Sequence, residues 1–292
     1  MAIWAMATQL KKANLAQFIA NCNAKRVHHI GYCGKDAVEI LESLNSDFSD
    51  LDFEQSFIIA EEKGEIIAAI GLDVDEAEQT AEVWGPFCTL KDAPEMIKSM
   101  WNALIYQLPL TIKTFNFFIN NKNEQTKTFV ESVGASNMGS YLNMVFHITT
   151  SNDFSLVNHI SKLKKREETS FITLHNSIFP NTYYNGQTII QRSQQFNCIF
   201  AYYEEVLKGY VYIEVEPKLG IGSIEYIAVQ ENYRQQGIGK KLLHHALSYI
   251  SSYDEIARLH LTVREQEKAA IRLYESVGFK AEEQLNHFVF QN

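Results

Sequence analysis

A strand-to-helix junction in the second half of the chain carries residue types suited to holding a phosphate. Gly237 and Gly239 open an amphipathic helix, with Arg234 before them and Lys240 and Lys241 after them. Glycine lets backbone approach a ligand, and the first amides of a helix have no partner within it. Together with the positive end of the helix dipole, these groups favour a bound phosphate. The stretch has neither the GK[ST] of a P-loop nor the GxGxxG of a dinucleotide fold. The alternative, a plain helix start, would favour Ser, Thr or Asp over two glycines.

Two motifs about 40 residues apart resemble the GNAT N-acetyltransferase superfamily. Its pyrophosphate loop, Arg/Gln-x-x-Gly-x-Gly/Ala, is matched in full by RQQGIG at residues 234–239. Its second signature, Ala-Ile-x-Leu-Tyr-x-x-x-Gly-Phe, is present at residues 270–279. The resemblance covers roughly residues 150–292. It implies acetyl-CoA or another acyl-CoA as cosubstrate, an acceptor that bears an amine, and no metal.

The resemblance also implies which residues hold the acyl-CoA. Loop amides would bind the pyrophosphate, and a splayed strand would bind the pantetheine arm by strand-like hydrogen bonds. The implied positions are Ile227, Ala228, Val229, Arg234, Gln235, Gln236, Gly237, Ile238, Gly239 and Lys240. Glu267 stands where the family often has a cofactor-contacting Asn, and a carboxylate there would weaken the contact.

The resemblance makes Tyr274 the proton donor to the CoA thiolate. A phenol of pKa about 10 is still protonated at neutral pH, which suits that role. The alternative is a core tyrosine on the helix face that it shares with Ile271. The strand amides near Ile227 and Val229 could polarise the thioester carbonyl.

Acyl transfer to an amine also requires a base, because an alkylammonium has a pKa near 10.4. Glu225 is the first candidate, since it lies on the strand that enters the site. Alternation places Glu225, Ile227 and Val229 on one face of that strand, and Tyr226 and Ala228 on the other. If the second face lines the cleft, Glu225 is only a surface carboxylate. The other candidates are Glu214, Glu216, His260 and a chain of waters. Several tyrosines either line an acceptor pocket or are ordinary strand residues: Tyr183, Tyr184, Tyr202, Tyr203, Tyr210 and Tyr212.

The elements that position these residues follow from hydrophobic periodicity and turn residues. Strands are predicted at 154–160, 197–203, 209–216, 223–229, 258–264 and 285–290. Helices are predicted at 164–177, 188–195, 236–251 and 267–277. A meander of strands followed by strands joined through helices indicates a mixed, mostly antiparallel sheet flanked by helices.

The first half repeats this plan, which indicates a duplication of about 145 residues. ESVG at 131–134 recurs at 275–278, and a Lys-Gly turn at 63–64 recurs at 208–209. We therefore predict an α/β protein with two tandem GNAT-like domains, residues 1–148 and 149–292. In the first, Asn123 supplies the family Asn, but Val130 replaces the tyrosine and no glycine pair precedes the helix. We expect no acyl-CoA in that half.

The charge, the cysteines and the apolar runs of the chain indicate which partners and which compartment to expect. The chain of 292 residues has 26 Lys and Arg against 35 Asp and Glu, a net charge of −9, so nucleic acid is an unfavourable partner. The excess acid lies in residues 1–148, which have 11 basic and 19 acidic side chains. Cysteines 22, 33, 88 and 198 form no tight pair, which favours free thiols over a zinc site. The chain shows neither a signal peptide nor a run of about 20 apolar residues. We therefore expect a soluble cytoplasmic protein with no membrane partner.

These observations predict an N-acetyltransferase that acts on a primary amine by direct attack, with a cationic small molecule as the favoured acceptor. Two alternatives remain open. One is an acyl-CoA-binding regulator without catalysis, and the other is a protein-modifying enzyme whose first half docks the target. The sequence does not indicate the oligomeric state.

Overall fold

The computed structural model describes residues 3–46, 48–148, 158–180, 182–194 and 196–292. They form two compact units. Unit 1 comprises Met1–Tyr141 with Glu283–Asn292, and unit 2 comprises Leu142–Glu282. Each unit is a mixed sheet with helices against it, which confirms the predicted fold class. No described helix has both the length and the apolar character needed to span a membrane.

Unit 1 begins with an edge strand and helices that pack on one face of its sheet. Its elements are β1 (Ile3–Met6), α1 (Lys12–Asn23), α2 (Ala37–Asn45), α3 (Phe53–Ser56), β2 (Phe57–Glu62), β3 (Glu65–Asp75), β4 (Thr80–Cys88), α4 (Pro94–Tyr106), β5 (Thr114–Asn120), α5 (Glu124–Ser132) and β6 (Ser136–His147). The strand order is β1-β2-β3-β4-β5, followed by β12 (Lys280–Gln291). Helices α4 and α5 cover one face, where Trp101 is buried among Phe115, Phe117, Phe129 and Phe290.

Unit 2 has the same order of elements. They are β7 (Ile160–Lys162), α6 (Glu168–Ile178), α7 (Gly186–Arg192), β8 (Cys198–Glu204), β9 (Val206–Glu216), β10 (Ile221–Val229), α8 (Ile238–Ile250), β11 (Arg258–Arg264) and α9 (Lys268–Glu275). Strands follow the order β6-β11-β10-β9-β8-β7. Apolar residues of α8 and α9 pack on one face, and α6 and α7 pack on the other. The predicted strand at 154–160 lies mostly outside the described residues, and β7 starts at its last residue.

The compact units do not follow the predicted division at residue 148. The final strand of the chain, β12, pairs antiparallel with β5 of unit 1, from Leu285 opposite Asn120 to Gln291 opposite Thr114. The end of β6, from Leu142, belongs instead to unit 2, where Asn143 accepts a hydrogen bond of 2.8 Å from Thr262 on β11. The two halves of the sequence thus exchange their last strands. Because both strands follow a similar turn, the residues near each turn do not indicate which sheet the strand joins.

Candidate active site

The first amides of α8 have no partners among the residues that the structure describes. Gly237 occupies the N-cap in the left-handed region with φ +75°, and no side chain caps the helix. The first intrahelical bond there runs from the Lys241 amide to the Gly237 carbonyl, at 3.0 Å. Gln235 also has positive φ, +60°, so the backbone folds back just before the helix. Unpaired amides at the positive end of a helix dipole are groups of the kind that bind anions.

The two glycines of the loop have different roles. A Cβ at Gly237 would meet nothing within 4 Å, so the space beside it is open. A Cβ at Gly239 would lie 3.0 Å from the Leu273 side chain on α9. The sequence suggested that both glycines bring backbone close to a ligand. The structure shows that the missing side chain of Gly239 lets α8 approach α9.

Strands β10 and β11 separate beside this loop. They are paired only from Ile221 to Ser223, against Arg258–His260. The Gln230 amide bonds to the Lys208 carbonyl on β9, so alternation turns the backbone groups of Ile227 and Val229 towards the gap. There the Val229 carbonyl accepts a hydrogen bond of 3.2 Å from Arg234 Nε. The gap thus leaves the backbone groups of Ile227 and the Val229 amide without partners among the described residues, next to the uncapped start of α8.

Tyr274 lies in the apolar cluster that also contains Ile227, Val229 and Ile238. It is 8% exposed, and no described residue hydrogen-bonds to its hydroxyl. Burial, and secondarily the charge of Glu267, raise its pKa to about 12. The phenol is therefore protonated at neutral pH and can donate. Glu267 itself is exposed just before α9 and does not cap that helix.

Glu225 occupies a β-bulge that breaks the predicted alternation. Ile224 lies opposite Ile213 and Tyr226 opposite Tyr212, so Glu225 is an extra residue between them. Ile224, Ile227 and Val229 pack towards α8, as alternation about the bulge requires, whereas Tyr226 and Ala228 pack towards α6 and α7. The charge of Glu225 acts on Tyr226, which packs on the second face, whereas the prediction placed Glu225 on the face of Ile227 and Val229.

The environment of Glu225 favours a proton acceptor. Its side chain is reached by solvent, yet desolvation by the surrounding protein is the main cause that raises its pKa. The charge of Glu214 acts in the same direction, while a hydrogen bond from Ser223 and the charge of Arg192 oppose it. A carboxylate with a raised pKa is a better base for an ammonium.

The residues around Glu225 form a surface that we call the acidic wall: Glu225, Glu214, Arg192, Tyr184 and Tyr226. Arg192 donates to Glu214 from Nε at 3.2 Å and from Nη2 at 3.3 Å. Its guanidinium also lies over the Tyr184 ring, 4.4 Å from the centroid. Sequence reasoning missed Arg192 and Tyr226, because nothing in their local sequence shows that they converge.

Buried hydrogen bonds hold the acidic wall in place. The Tyr226 hydroxyl accepts from the Tyr184 amide at 3.2 Å and is 2.7 Å from the Thr182 hydroxyl. His175 is fully buried, with Nε2 2.8 Å from the Tyr184 carbonyl and Nδ1 bonded to the Tyr210 hydroxyl. Nε2 must carry the proton because a carbonyl only accepts, so Tyr210 donates to Nδ1.

The other sequence candidates lie in different surroundings. Glu216 is exposed at the end of β9. His260 lies opposite Ser223, and burial with the charge of Arg258 lowers its pKa to about 4. Among the tyrosines, Tyr184 joins the acidic wall and Tyr183 is 80% exposed beside it. Tyr202 instead donates to Glu204.

For the four cysteines, the sequence favoured free thiols over a zinc site. All four cysteines are buried and unbridged, and burial raises the pKa of Cys22 to about 11. His29 is 3% exposed and within hydrogen-bond distance of Asn120. Over the described parts of the chain, no three His, Cys, Asp or Glu side chains are grouped as metal ligands.

A model of the family described as "Acetyltransferase (GNAT) family" matches residues 164–279. This stretch contains the uncapped α8, the strand gap and Tyr274. Residues 164–279 thus carry the likeness to the GNAT acetyltransferases, and they make up less than half of the chain. One curated relative, the ribosomal protein bS18-alanine N-acetyltransferase of Escherichia coli, is 45% identical over 53 residues, 18% of this chain and 35% of that enzyme. The chain thus spans about a third of that relative.

Solved GNAT structures extend the likeness to the whole chain. A GCN5-related N-acetyltransferase from Sphaerobacter thermophilus has a TM-score of 0.77 at 14% identity, covering 99% of this chain and 95% of that one. A tandem GNAT protein from the clavulanic acid biosynthesis pathway has a TM-score of 0.67 at 12% identity, covering 100% and 98%. At these identities the likeness shows the fold, which is a tandem GNAT fold.

Proposed function

We propose that unit 2 transfers an acetyl group from acetyl-CoA to a primary amine by direct attack. The observation that carries the proposal is the uncapped start of α8 beside the β10–β11 gap, with a protonated Tyr274 in the same cluster. The amides of residues 235–240 hold the pyrophosphate, and Ile227–Val229 hold the pantetheine arm. The first unit takes no acyl-CoA and serves as a scaffold.

Acetyl-CoA supplies an activated thioester, and the chain moves the protons. Glu225 takes a proton from the acceptor ammonium, directly or through water, so that a neutral amine attacks the thioester carbonyl. A backbone amide at Ile227 or Val229 polarises that carbonyl. As the carbon–nitrogen bond forms and the carbon–sulfur bond breaks, Tyr274 gives its proton to the departing thiolate. The acylated nitrogen then gives up its remaining extra proton, which returns through water to the Tyr274 phenolate. The products are an acetamide and free CoA, with one proton held by Glu225.

The acidic wall favours a cationic small-molecule acceptor, because no described Lys, Arg or His forms an ion pair with Glu225 and its charge acts on the tyrosines Tyr184 and Tyr226. A protein acceptor is the second candidate, since the E. coli relative is named for an alanine of a ribosomal protein. A regulator that binds acyl-CoA without turnover is the third, and Glu267 in the place of the family Asn favours it. Four unbridged cysteines favour a reducing compartment, and we place the protein in the cytoplasm.

The test is release of the CoA thiol from acetyl-CoA over a panel of small amines and amine-bearing peptides. Small amines that release CoA and become acetylated support the first candidate, and turnover with peptides alone supports the second. Binding of acetyl-CoA without turnover on either set supports the regulator. If acetyl-CoA neither binds nor is turned over, the whole proposal is contradicted.

A further inference from the structure

The gap between β4 and β5 of unit 1 contains a segment of the unit's own chain. The two strands are paired only over Thr80–Glu82 of β4. Beyond that point, residues 29–31, which we call the closing segment, run antiparallel to β5, with Ile30 opposite Ile119. Because β12 pairs with β5 along the whole of its other edge, the closing segment lies on the edge that β4 has left.

Backbone hydrogen bonds hold the closing segment as a short strand. The Gly31 amide donates to the Phe118 carbonyl at 2.7 Å. The Asn120 amide donates to the His29 carbonyl at 3.0 Å. These two bonds flank the antiparallel bridge, as they do in a regular ladder. The closing segment therefore uses the groups of β5 that face the gap.

Buried side chains fix the closing segment from the other directions. Ile30 is 1% exposed and belongs to the same apolar cluster as Trp84 of β4. Its amide donates to Oδ1 of the fully buried Asn23 at 2.7 Å. The His29 carbonyl also accepts a hydrogen bond of 3.3 Å from Asn123 Nδ2, at the start of α5. The segment is thus anchored to both of its neighbouring helices, α1 and α5.

Gly31 lets the closing segment lie directly against the sheet. A Cβ at Gly31 would lie 2.5 Å from Leu285 Cδ1 and 3.2 Å from Phe118 Cβ. A Cβ at Gly34 would instead meet the carboxylate of Glu39 at 2.7 Å, the movable end of a side chain. One added methyl group at residue 31 should therefore displace the segment, whereas the same group at residue 34 should not.

The matching gap of unit 2, between β10 and β11, is not filled in this way. The connection between α1 and α2 covers residues 24–36, and that between α6 and α7 covers residues 179–185, which is six residues shorter. None of the described residues in 179–185 forms a backbone hydrogen bond or a bridge with β11. The longer connection of unit 1 is the one that reaches its sheet.

We infer that the closing segment is a built-in autoinhibitory contact, which occupies the gap of unit 1 in place of an extended ligand and keeps acyl-CoA out. Its strand-like hydrogen bonds to β5 correspond to those proposed between the pantetheine arm and β10 in unit 2. This correspondence rests on the proposed function, whereas the pairing of the closing segment with β5 does not.

Amide hydrogen exchange of the full chain, measured by NMR with and without acetyl-CoA, tests the inference. Without ligand, the Gly31 and Asn120 amides should exchange about 100-fold more slowly than the Val229 amide in the gap of unit 2. Acetyl-CoA should slow exchange at Val229 and leave the two amides of unit 1 unchanged. Calorimetry should give a single acetyl-CoA bound per chain.

Two matched variants test whether the closing segment protects β5. Gly31→Ala should speed exchange of the Asn120 amide about 30-fold, and Gly34→Ala should leave it within about threefold of wild type. Thermal unfolding verifies that each variant is folded. If Gly31→Ala does not fold, the exchange rates of ligand-free wild type decide the matter.

Equally fast exchange of Asn120 and Val229 in ligand-free wild type would overturn the inference. Unchanged exchange of Asn120 in folded Gly31→Ala, or two molecules of acetyl-CoA bound per chain, would also overturn it. A protected Asn120 amide in a chain that binds no acetyl-CoA would reject the proposed function and leave the closing segment as the occupant of the unit 1 gap.

Discussion

Units 1 and 2 place acidic residues at matching positions of their sheets but surround them differently. Asp73 lies opposite Glu82 across β3 and β4, as Glu214 lies opposite Ser223 across β9 and β10. In unit 1, burial and then neighbouring carboxylates raise the pKa of Asp73 to about 6 and of Glu82 to about 8. Glu82 Oε1 is buried and has no hydrogen-bond partner among the described residues. In unit 2, Arg192 and Tyr212 satisfy Glu214, and Glu225 reaches solvent.

The helix starts and strand gaps differ in the same way. β4 and β5 also separate after three pairs, but in unit 1 the Thr126 hydroxyl bonds to the Pro86 carbonyl at 3.3 Å and occupies that place. Asn123, at the position of the family Asn, is fully buried and caps α5 through the Thr126 amide. The two units thus keep the same sheet. In unit 1, however, side chains bond to the backbone groups whose counterparts in unit 2 are proposed to bind a ligand.

The largest expected effect concerns Tyr274, whose place in unit 1 is taken by a buried valine. Tyr274→Phe should lower kcat about 100-fold, because the leaving thiolate loses its proton donor, while the Kd for acetyl-CoA stays within about twofold. Steady-state CoA release and calorimetry measure the two quantities. Tyr106→Phe, at a 92% exposed position of unit 1, is the control. An unchanged kcat in Tyr274→Phe would mean that the tyrosine is only a core residue.

The buried acid of unit 1 should make the protein less stable at alkaline pH. The folded pKa of Glu82, about 8, exceeds its usual 4.5. Its contribution is fully present below pH 4.5 and is lost as pH rises through about 8, because only the unfolded state ionises freely between these values. Asp73 faces Glu82 directly, Asp50 and Asp75 act on Asp73, and Cys33 lies near Glu82.

Glu82→Gln should therefore flatten this part of the stability–pH curve and raise stability at pH 9 by on the order of 2 kcal/mol. Urea unfolding from pH 5 to pH 9 measures it. Equal slopes in wild type and variant would show that the carboxyl is not buried in its neutral form.

A smaller effect is expected at Asn123, and it tests whether this asparagine stabilises α5 or binds the cosubstrate. Asn123→Ala removes the cap on α5 and should cost about 1–2 kcal/mol of unfolding free energy, with no change in acetyl-CoA affinity. Denaturant unfolding and ligand titration provide both numbers. Loss of acetyl-CoA binding in a folded Asn123→Ala protein would show that unit 1 holds the cosubstrate after all.

The smallest effect should come from restoring the family residue in unit 2. Glu267→Asn should tighten acetyl-CoA binding about threefold, since a repelling carboxylate near the phosphates is replaced by a neutral donor. Glu275→Asn, exposed at the other end of α9, removes the same charge away from the site and is the control. Equal effects of the two variants would show a general influence of net charge.

Local patterns predicted much of this architecture. Periodicity and turn residues gave the order of strands and helices, and the helix predicted at 236–251 is α8, Ile238–Ile250. The tandem GNAT fold followed from the repeated ESVG and Lys-Gly turns and from two motifs in family order. These features depend on neighbours within a few residues, which is why a single sequence contains them.

The remaining features depend on contacts between distant segments. The exchange of β6 and β12 is decided by which sheet edge each strand reaches. The bulge at Glu225 arises because β10 has one more residue than β9 at that point, and the sequence of β10 alone does not indicate it. Arg192 reaches Glu214 from 22 residues away, and Gly239 is explained by Leu273 on another helix.

Binding of acetyl-CoA to wild type, Gly237→Glu and Gly134→Glu tests most directly whether unit 2 holds the cosubstrate at α8. Both glycines have positive φ, +75° and +87°, and a Cβ at either would meet nothing within 4 Å, so the two variants share the same backbone strain and added charge. At 100 times its Kd, acetyl-CoA should stabilise wild type and Gly134→Glu by about 2.7 kcal/mol and leave Gly237→Glu unchanged. Equal stabilisation of all three proteins, or of none, would contradict the assignment.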